Sequence, residues 1–324
     1  MMDRMPARDR IGFILVGLGA IAFALTPWIG GNYLVRFTTS TCLFITMALS
    51  WNFIGGYARY PSFATAAFFG LGAYAGAIAQ TRGLAMPGAW LFAAVFTAIF
   101  AASLGSVILR LRGHYFAVGS FAIVEILRLG ASSWHGLTGG GSGLNVPILP
   151  GGPDFASRVF LYSMLALALV TFAAAIWVDR SSLGFGLRCI RQNESAASML
   201  GIDVDRLKII AFVFSATFVG AGGAIYASWV SYIDPTDSFQ ILLTIKVPVM
   251  VLLGGAGTLF GPLIGVLAFQ VLEERIWSSF LEIHSGVLGL VIVVLVFCLP
   301  GGLLAVPYRD MFGRLSFLRR ETVP

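Results

Sequence analysis

The chain has 324 residues, 58% of them apolar and only 11% charged, with a net charge of +6. So little polar surface cannot coat a soluble globule; the composition describes an integral membrane protein and excludes a water-soluble enzyme. At about 20 apolar residues per crossing, the length accommodates roughly eight to ten spans and no separate soluble catalytic domain.

In chain order, the runs Ile11 to Ile29, Leu34 to Ile54, Ser62 to Gln80, Ala89 to Leu109, His114 to Trp134, Arg158 to Val178 and Ile209 to Val230 are each long enough to cross a bilayer. Basic residues before the first run and the Ala22-Phe23-Ala24 triplet also fit a signal peptide, but the run continues to Ile29, which favours a span. Region 241–272 differs. Its two apolar stretches, of about 13 and 10 residues, flank Gly254-Gly255-Ala256-Gly257-Thr258-Leu259-Phe260-Gly261-Pro262, and at 1.5 Å per residue neither crosses a core of about 30 Å. The expectation is a re-entrant broken-helix pair, with Gly254, Gly255, Gly257, Gly261 and Pro262 forming its turn. A last span, Ser285 to Val306, precedes a basic tail.

Short cytoplasmic loops collect Lys and Arg, so charge placement orients the chain. With region 241–272 re-entrant, 15 basic residues fall inside and four outside (Arg36, Arg82, Arg158 and Arg275); as a full crossing, it gives 12 and 7. The re-entrant topology is favoured. It makes residues 1–10 a cytoplasmic N-terminus, 135–157 a periplasmic glycine-rich loop, 179–208 a cytoplasmic loop and 307–324 a cytoplasmic tail, all within one membrane domain, 1–324.

The cytoplasmic loop carries Leu187, Ile190, Ala197 and Leu200 near helical spacing, with no internal glycine between Gly186 and Gly201. One amphipathic helix with a glycine stop is expected. Ala196 and Ala197 are small enough for another protein's backbone to approach, and Arg188, Arg191 and Glu194 are placed to set its register. The alternative is a helix resting on headgroups, its arginines meeting anionic lipid. Inside the membrane, Glu125 and Arg128 are three apart and share a helix face, where they line a path or fix helix rotation. Lys246 has no acidic neighbour on its own stretch and needs an acceptor from elsewhere. Asn52 and Thr65 complete the buried polar or path-lining candidates. The glycines of segment 135–154 form either a connector, a docking surface for a binding protein, or an anion-binding nest.

Neither lysine ends a GxxxxGK[ST] phosphate loop, so ATP is not bound in that way; no HExxH occurs, and the three cysteines form no CxxC pair. Neither a metal nor another cofactor is expected. Energy must come from a partner or an ion gradient.

Five blocks in order carry a resemblance: WNFIGGYARYPSFATAAFFGLGAY, LRLRGHYFAVGSFAIVEILRL, LTGGGSGLNVP, GLRCIRQNESAASMLGIDVDRLK and MVLLGGAGTLFGPLIG. Together they resemble the LivM-type permease, a membrane subunit of ABC importers for branched-chain amino acids, from about residue 47 to 302. The resemblance implies an all-α integral membrane protein with about eight transmembrane helices plus the re-entrant pair, in the bacterial inner membrane. Its implied partners are a second homologous permease, two cytoplasmic ATPase subunits and a periplasmic solute-binding protein; nucleic acid is not among them. By position, Ala196, Ala197 and Gly201 match the loop that contacts the ATPase. Ser195 stands where the general motif has Glu, with Glu194 one residue earlier. The sequence departs from the family at Arg59-Tyr60, at Ser62-Phe63-Ala64-Thr65 and at Lys246, in blocks that bear on the solute. The rival reading is a gradient-driven secondary transporter of a small organic solute, for which relay carboxylates are expected inside the membrane. Glu125 alone meets that expectation.

Overall fold

In lipid, a backbone amide has no partner except the chain's own carbonyls, so each long apolar run closes into a helix. The computed structural model describes residues 7–111, 113–279, 289 and 302–304. Helix α1 (Ala7–Ile29) leads to α2 (Asn32–Trp51), which widens into a π-helical turn (Asn52–Gly56), and then come α3 (Thr65–Thr81), α4 (Met86–Ile108) and α5 (His114–Ser133). A short α6 (His135–Thr138) and strand β1 (Leu144–Asn145) precede α7 (Pro153–Arg180), α8 (Ser182–Gln192), α9 (Glu194–Met199) and α10 (Val204–Val230). Strand β2 (Tyr232–Ile233), α11 (Pro235–Ser238), α12 (Ile241–Gly254) and α13 (Gly261–Ser279) follow.

Among the described residues, seven helical stretches are long and apolar enough to cross a membrane: those within α1, α2, α4, α5, α7 and α10, and the segment 235–254. The chain is a multi-pass membrane protein. The expected last span apart from 289 and 302–304, the tail, Arg112 and Cys298 lie outside the described residues, as do residues 1–6.

Helix α3 is the centre of the bundle, buried along most of its length. Small residues make that possible: a Cβ on Gly72 would lie 2.1 Å from the carbonyl oxygen of Gly220, and one on Gly223 would lie 2.1 Å from that of Phe69. Lipid tails are as apolar as leucine, so this backbone-close packing, rather than hydrophobic burial, holds α3 against α10.

Helices α12 and α13 fold back on each other in antiparallel fashion. Gly254 faces Gly261, and Gly265 faces Met250, each so near that a Cβ would fall 1.8 Å from the opposing carbonyl oxygen. The second leg is longer than expected, reaching Ser279. Charged Glu273 and Glu274 interrupt the apolar run there but not the helix, because each finds a partner on a neighbouring helix. The turn between the legs sits at the end of the bundle that carries α8 and α9, and Leu303 and Leu304 return to the same end, donating to the carbonyls of Leu253 (2.7 Å) and Gly254 (3.3 Å).

Segment 181–203 holds two helices instead of one. Asn193 leaves the helical conformation (φ −160°, ψ 115°) and its side chain caps α9 by accepting from Ala196 N at 3.0 Å. An asparagine forms that local bond readily, which is why the chain breaks there despite its continuous spacing. Helix α9 stops as expected at Gly201: with φ +81°, its amide bonds Ser198 O, and the amide of Ile202 bonds Ala197 O, closing the last turn.

At the opposite end, the glycine-rich segment 135–152 is tied down by strand pairing. Leu144 pairs with Ile233 and Asn145 with Tyr232, while Val146 N bonds Ser231 O at 2.9 Å and Tyr232 Oη donates to Ser142 O. Beneath β2, Phe239 stacks on Tyr74 against Gly70.

Candidate functional site

At the α8–α9 end, three stretches of non-helical backbone come together: residues 57–64, the turn 255–260 and the α8–α9 junction. Asn52, on the π-helical turn, spans two of them. Its Nδ2 donates to Thr258 O at 3.0 Å and its Oδ1 accepts from Gly257 N at 2.8 Å. Gly56 permits the approach, since a Cβ there would meet Asn52 Oδ1 at 1.8 Å and Gly257 N at 2.6 Å. Arg191 of α8 reaches the same turn, donating to Ala256 O at 3.4 Å. Burial, reinforced by nearby Arg59, lowers the pKa of its guanidinium below the usual value.

The second group centres on Lys208, only 1% exposed at the first turns of α10. Its Nζ meets Glu194 Oε1 at 3.0 Å, Tyr60 Oη at 3.4 Å and Leu109 O at 3.5 Å. Tyr60 Oη in turn donates to Glu194 Oε2. Burial and then this bond raise the pKa of the Tyr60 phenol above the usual value. A buried ammonium survives only when paired and hydrogen-bonded, and here the partners come from α9, the 57–64 segment and the end of α4, with Asp205 of α10 itself 3.4 Å away. Arg188 joins α8 to α7 through the side chain (2.8 Å) and carbonyl (2.9 Å) of Asp179.

The irregular segment 57–64 is satisfied by side chains. Trp51 Nε1 donates to Ser62 O at 2.7 Å, and Phe63 N donates to Ser120 Oγ at 2.8 Å. Ala66 N, beside buried Thr65, bonds Thr244 Oγ1 of α12. Non-helical backbone is stable at membrane depth only with such partners.

The structure therefore unites Asn52, Arg191, Gly257 and the glycine turn, and places Glu194 beside them. It does not bring Glu125 and Arg128 to this group. They pair with each other on a half-buried face of α5, with Arg128 Nε 2.9 Å from Glu125 Oε2. Lys246 finds its acceptor in Glu273 on α13, with the Phe44 ring 5.7 Å from Nζ. Ala197 departs from its expected place on the surface. It is 2% exposed and packs inward, whereas Ser195, Ala196 and Ser198 are exposed, and Met199 and Leu200 are 87% and 78% exposed. Glu194 likewise turns inward, because Lys208 demands a counter-charge.

Sequence reasoning missed Tyr60, Lys208 and Glu273. A signal for the last was present: once the two legs fold back about Gly254 to Gly261, an acidic residue roughly three turns up the second leg lies beside a lysine roughly two turns up the first. For Lys208 the signal was weaker, one of only two lysines against 19 arginines, at the edge of an apolar run.

Residues 33–296 match the family described as "Branched-chain amino acid transport system / permease component". The chain is 28% identical over 318 aligned residues to the high-affinity branched-chain amino acid transport system permease protein LivM of Escherichia coli (strain K12), covering 90% of this chain and 74% of that protein. It is 28% identical over 141 residues to LivH of Salmonella typhimurium, covering 43% and 45% of the two chains. It is 26% identical over 244 residues to the autoinducer 2 import system permease LsrC of Enterobacter sp. (strain 638), covering 70% and 68%. No solved structure matches. With four-fifths of its length inside the family match and its membrane helices in place, the chain belongs to the permease components of branched-chain amino acid transport systems.

Proposed function

We propose that this chain is one permease subunit of an ABC importer in the bacterial inner membrane, moving branched-chain or related amino acids inward with a second, homologous permease. Two ATPase subunits drive it at α8–α9, and a periplasmic binding protein delivers solute to the opposite end. Both termini and the α8–α9 end are cytoplasmic in this reading, supported by the distribution of 15 basic residues against four. The α12–α13 pair enters and leaves from the periplasmic side.

The observation that carries the proposal is the direct bonding of a surface unit to the membrane breaks: Arg191 to Ala256 O and Glu194 to Lys208. A push on α8–α9 is delivered to the 255–260 turn, to 57–64 and to α10 without an intervening flexible linker. The surface offered to an ATPase is the tip of α9, where two large apolar side chains, Met199 and Leu200, are exposed. Met199→Glu combined with Leu200→Glu is expected to leave the permease inserted, yet to abolish ATPase copurification and solute-stimulated hydrolysis. Ala197→Trp is a poor probe because it overfills this chain's own packing. Transport that persists without nucleotide, collapses with the proton or sodium gradient and ignores the Met199 and Leu200 changes sinks the importer reading.

A further inference from the structure

Among the described residues, three ion pairs hold charged groups inside the bundle: Glu125 with Arg128, Lys246 with Glu273, and Lys208 with Glu194. Arg36, early in α2, differs, having neither an ion pair nor a hydrogen bond among the described residues. It lines a cavity of about 600 Å³ where α2, α10 and α13 diverge at the end opposite α8–α9. It also lines an adjoining hollow of about 470 Å³, with Trp229 common to both. Across the first cavity stands Glu274, which accepts a hydrogen bond from Tyr33 Oη. Beside Ser40 and Val230, the remaining wall is aromatic: Phe37 stacks with Tyr33 at 6.5 Å, and Tyr226 meets Trp229 edge-on at 6.1 Å.

We infer that this cavity is an entry site for a free α-amino acid zwitterion, with Arg36 taking the carboxylate, Glu274 the ammonium, and the Phe37, Tyr226 and Trp229 rings the apolar side chain. The inference rests on the amino-acid import proposed above and adds where the permease itself first holds the solute. A guanidinium presents two parallel donors to a carboxylate, and an ammonium is held by a carboxylate with rings beside it. The opposite signs also select. A lone anion is repelled by Glu274, a lone cation by Arg36, and only a molecule bearing both charges close together satisfies the pair. Glu273, the next residue on α13, does not line the cavity and is held by Lys246 instead. A phosphatidylethanolamine headgroup also carries an anion and an ammonium, so the experiment must separate a lipid from a free solute.

The test uses the assembled permease–ATPase complex in nanodiscs, with Cys42, Cys189 and Cys298 replaced by alanine and Ser40→Cys as a reporter on the cavity wall. L-leucine is expected to slow modification by a polar maleimide, while leucine methyl ester and N-acetylleucine, each lacking one charge, do not. Arg36→Gln and Glu274→Gln should each weaken that protection by about tenfold to a hundredfold, the worth of one charge-assisted bond, with Arg36→Lys intermediate. Unchanged labelling rates without leucine show that the variants keep the fold. The inference is overturned if the complete importer transports leucine under ATP but leucine gives no protection, or if the blocked analogues protect equally. It also falls if labelling is slow in phosphatidylethanolamine, fast in phosphatidylcholine and indifferent to leucine, which assigns the cavity to lipid. Failure of the complete importer to move any amino acid removes the underlying reading, and this inference with it.

Discussion

At the α8–α9 end, buried side chains tie one chain break to another: Asn52 holds Gly257 and Thr258, Arg191 holds Ala256, and Lys208 draws Glu194, Tyr60 and the Leu109 carbonyl together. At the opposite end, segment 135–152 meets 231–240 through two short paired strands, one further backbone bond and a tyrosine hydroxyl. The difference is one of strength and of what is lost on opening. Separating the first end strips a buried ammonium of Glu194, Tyr60 and the Leu109 carbonyl, leaving it only exposed Asp205 on its own helix, whereas separating the second breaks a few backbone and hydroxyl bonds that water can replace. Local opening follows the weaker set, so the α8–α9 end is built to move as a block and the opposite end to come apart. The division fits the importer proposed above, in which force enters at one end and solute at the other.

The largest test of this contrast is Asn52→Ala, which leaves Gly257 N and Thr258 O without their side-chain partner at about 1–3 kcal/mol for each buried group left unmade. The expected signature is uncoupling: ATP hydrolysis continues while solute flux falls, measured together in proteoliposomes. Equal loss of both activities points to simple misfolding instead. Next is Lys208→Met. It removes the ammonium partner of Glu194, and because that carboxylate is partly exposed and keeps Tyr60, the cost falls below that of a fully buried pair, at about 1–3 kcal/mol. Thermal unfolding of the purified complex should shift downward, with Lys208→Met/Glu194→Gln recovering much of the loss. A single variant as stable as the parent contradicts the node.

The smallest effect belongs to the opposite end. Val146→Pro removes the amide that bonds Ser231 O, at a cost of about 1 kcal/mol. Hydrogen exchange at Tyr232 and Ile233 should quicken, with the amides of 255–260 unchanged. Faster exchange at both ends shows that the two do not open independently and removes the contrast.

Composition and period set the helices, because in a bilayer any sufficiently long apolar run must satisfy its own backbone; α4 and α10 are legible for that reason alone. Clustered glycines marked the turn 255–260, and Gly201 marked the stop of α9, since both depend on local conformation. Pairing is another matter. Whether Lys208 meets Glu194, or Lys246 meets Glu273, depends on the rotation and depth of several helices at once, and a one-dimensional spacing carries neither. The same holds for the stripe of Leu187, Ile190, Ala197 and Leu200, of which the broken helix keeps the first three inward and leaves Leu200 exposed, and for segment 135–152, whose strand pairs with residues some 90 positions away. Local periodicity fixes which residues can form a helix; which faces then meet is decided by close packing of small residues between helices, as in the seam of Gly72 against Gly220.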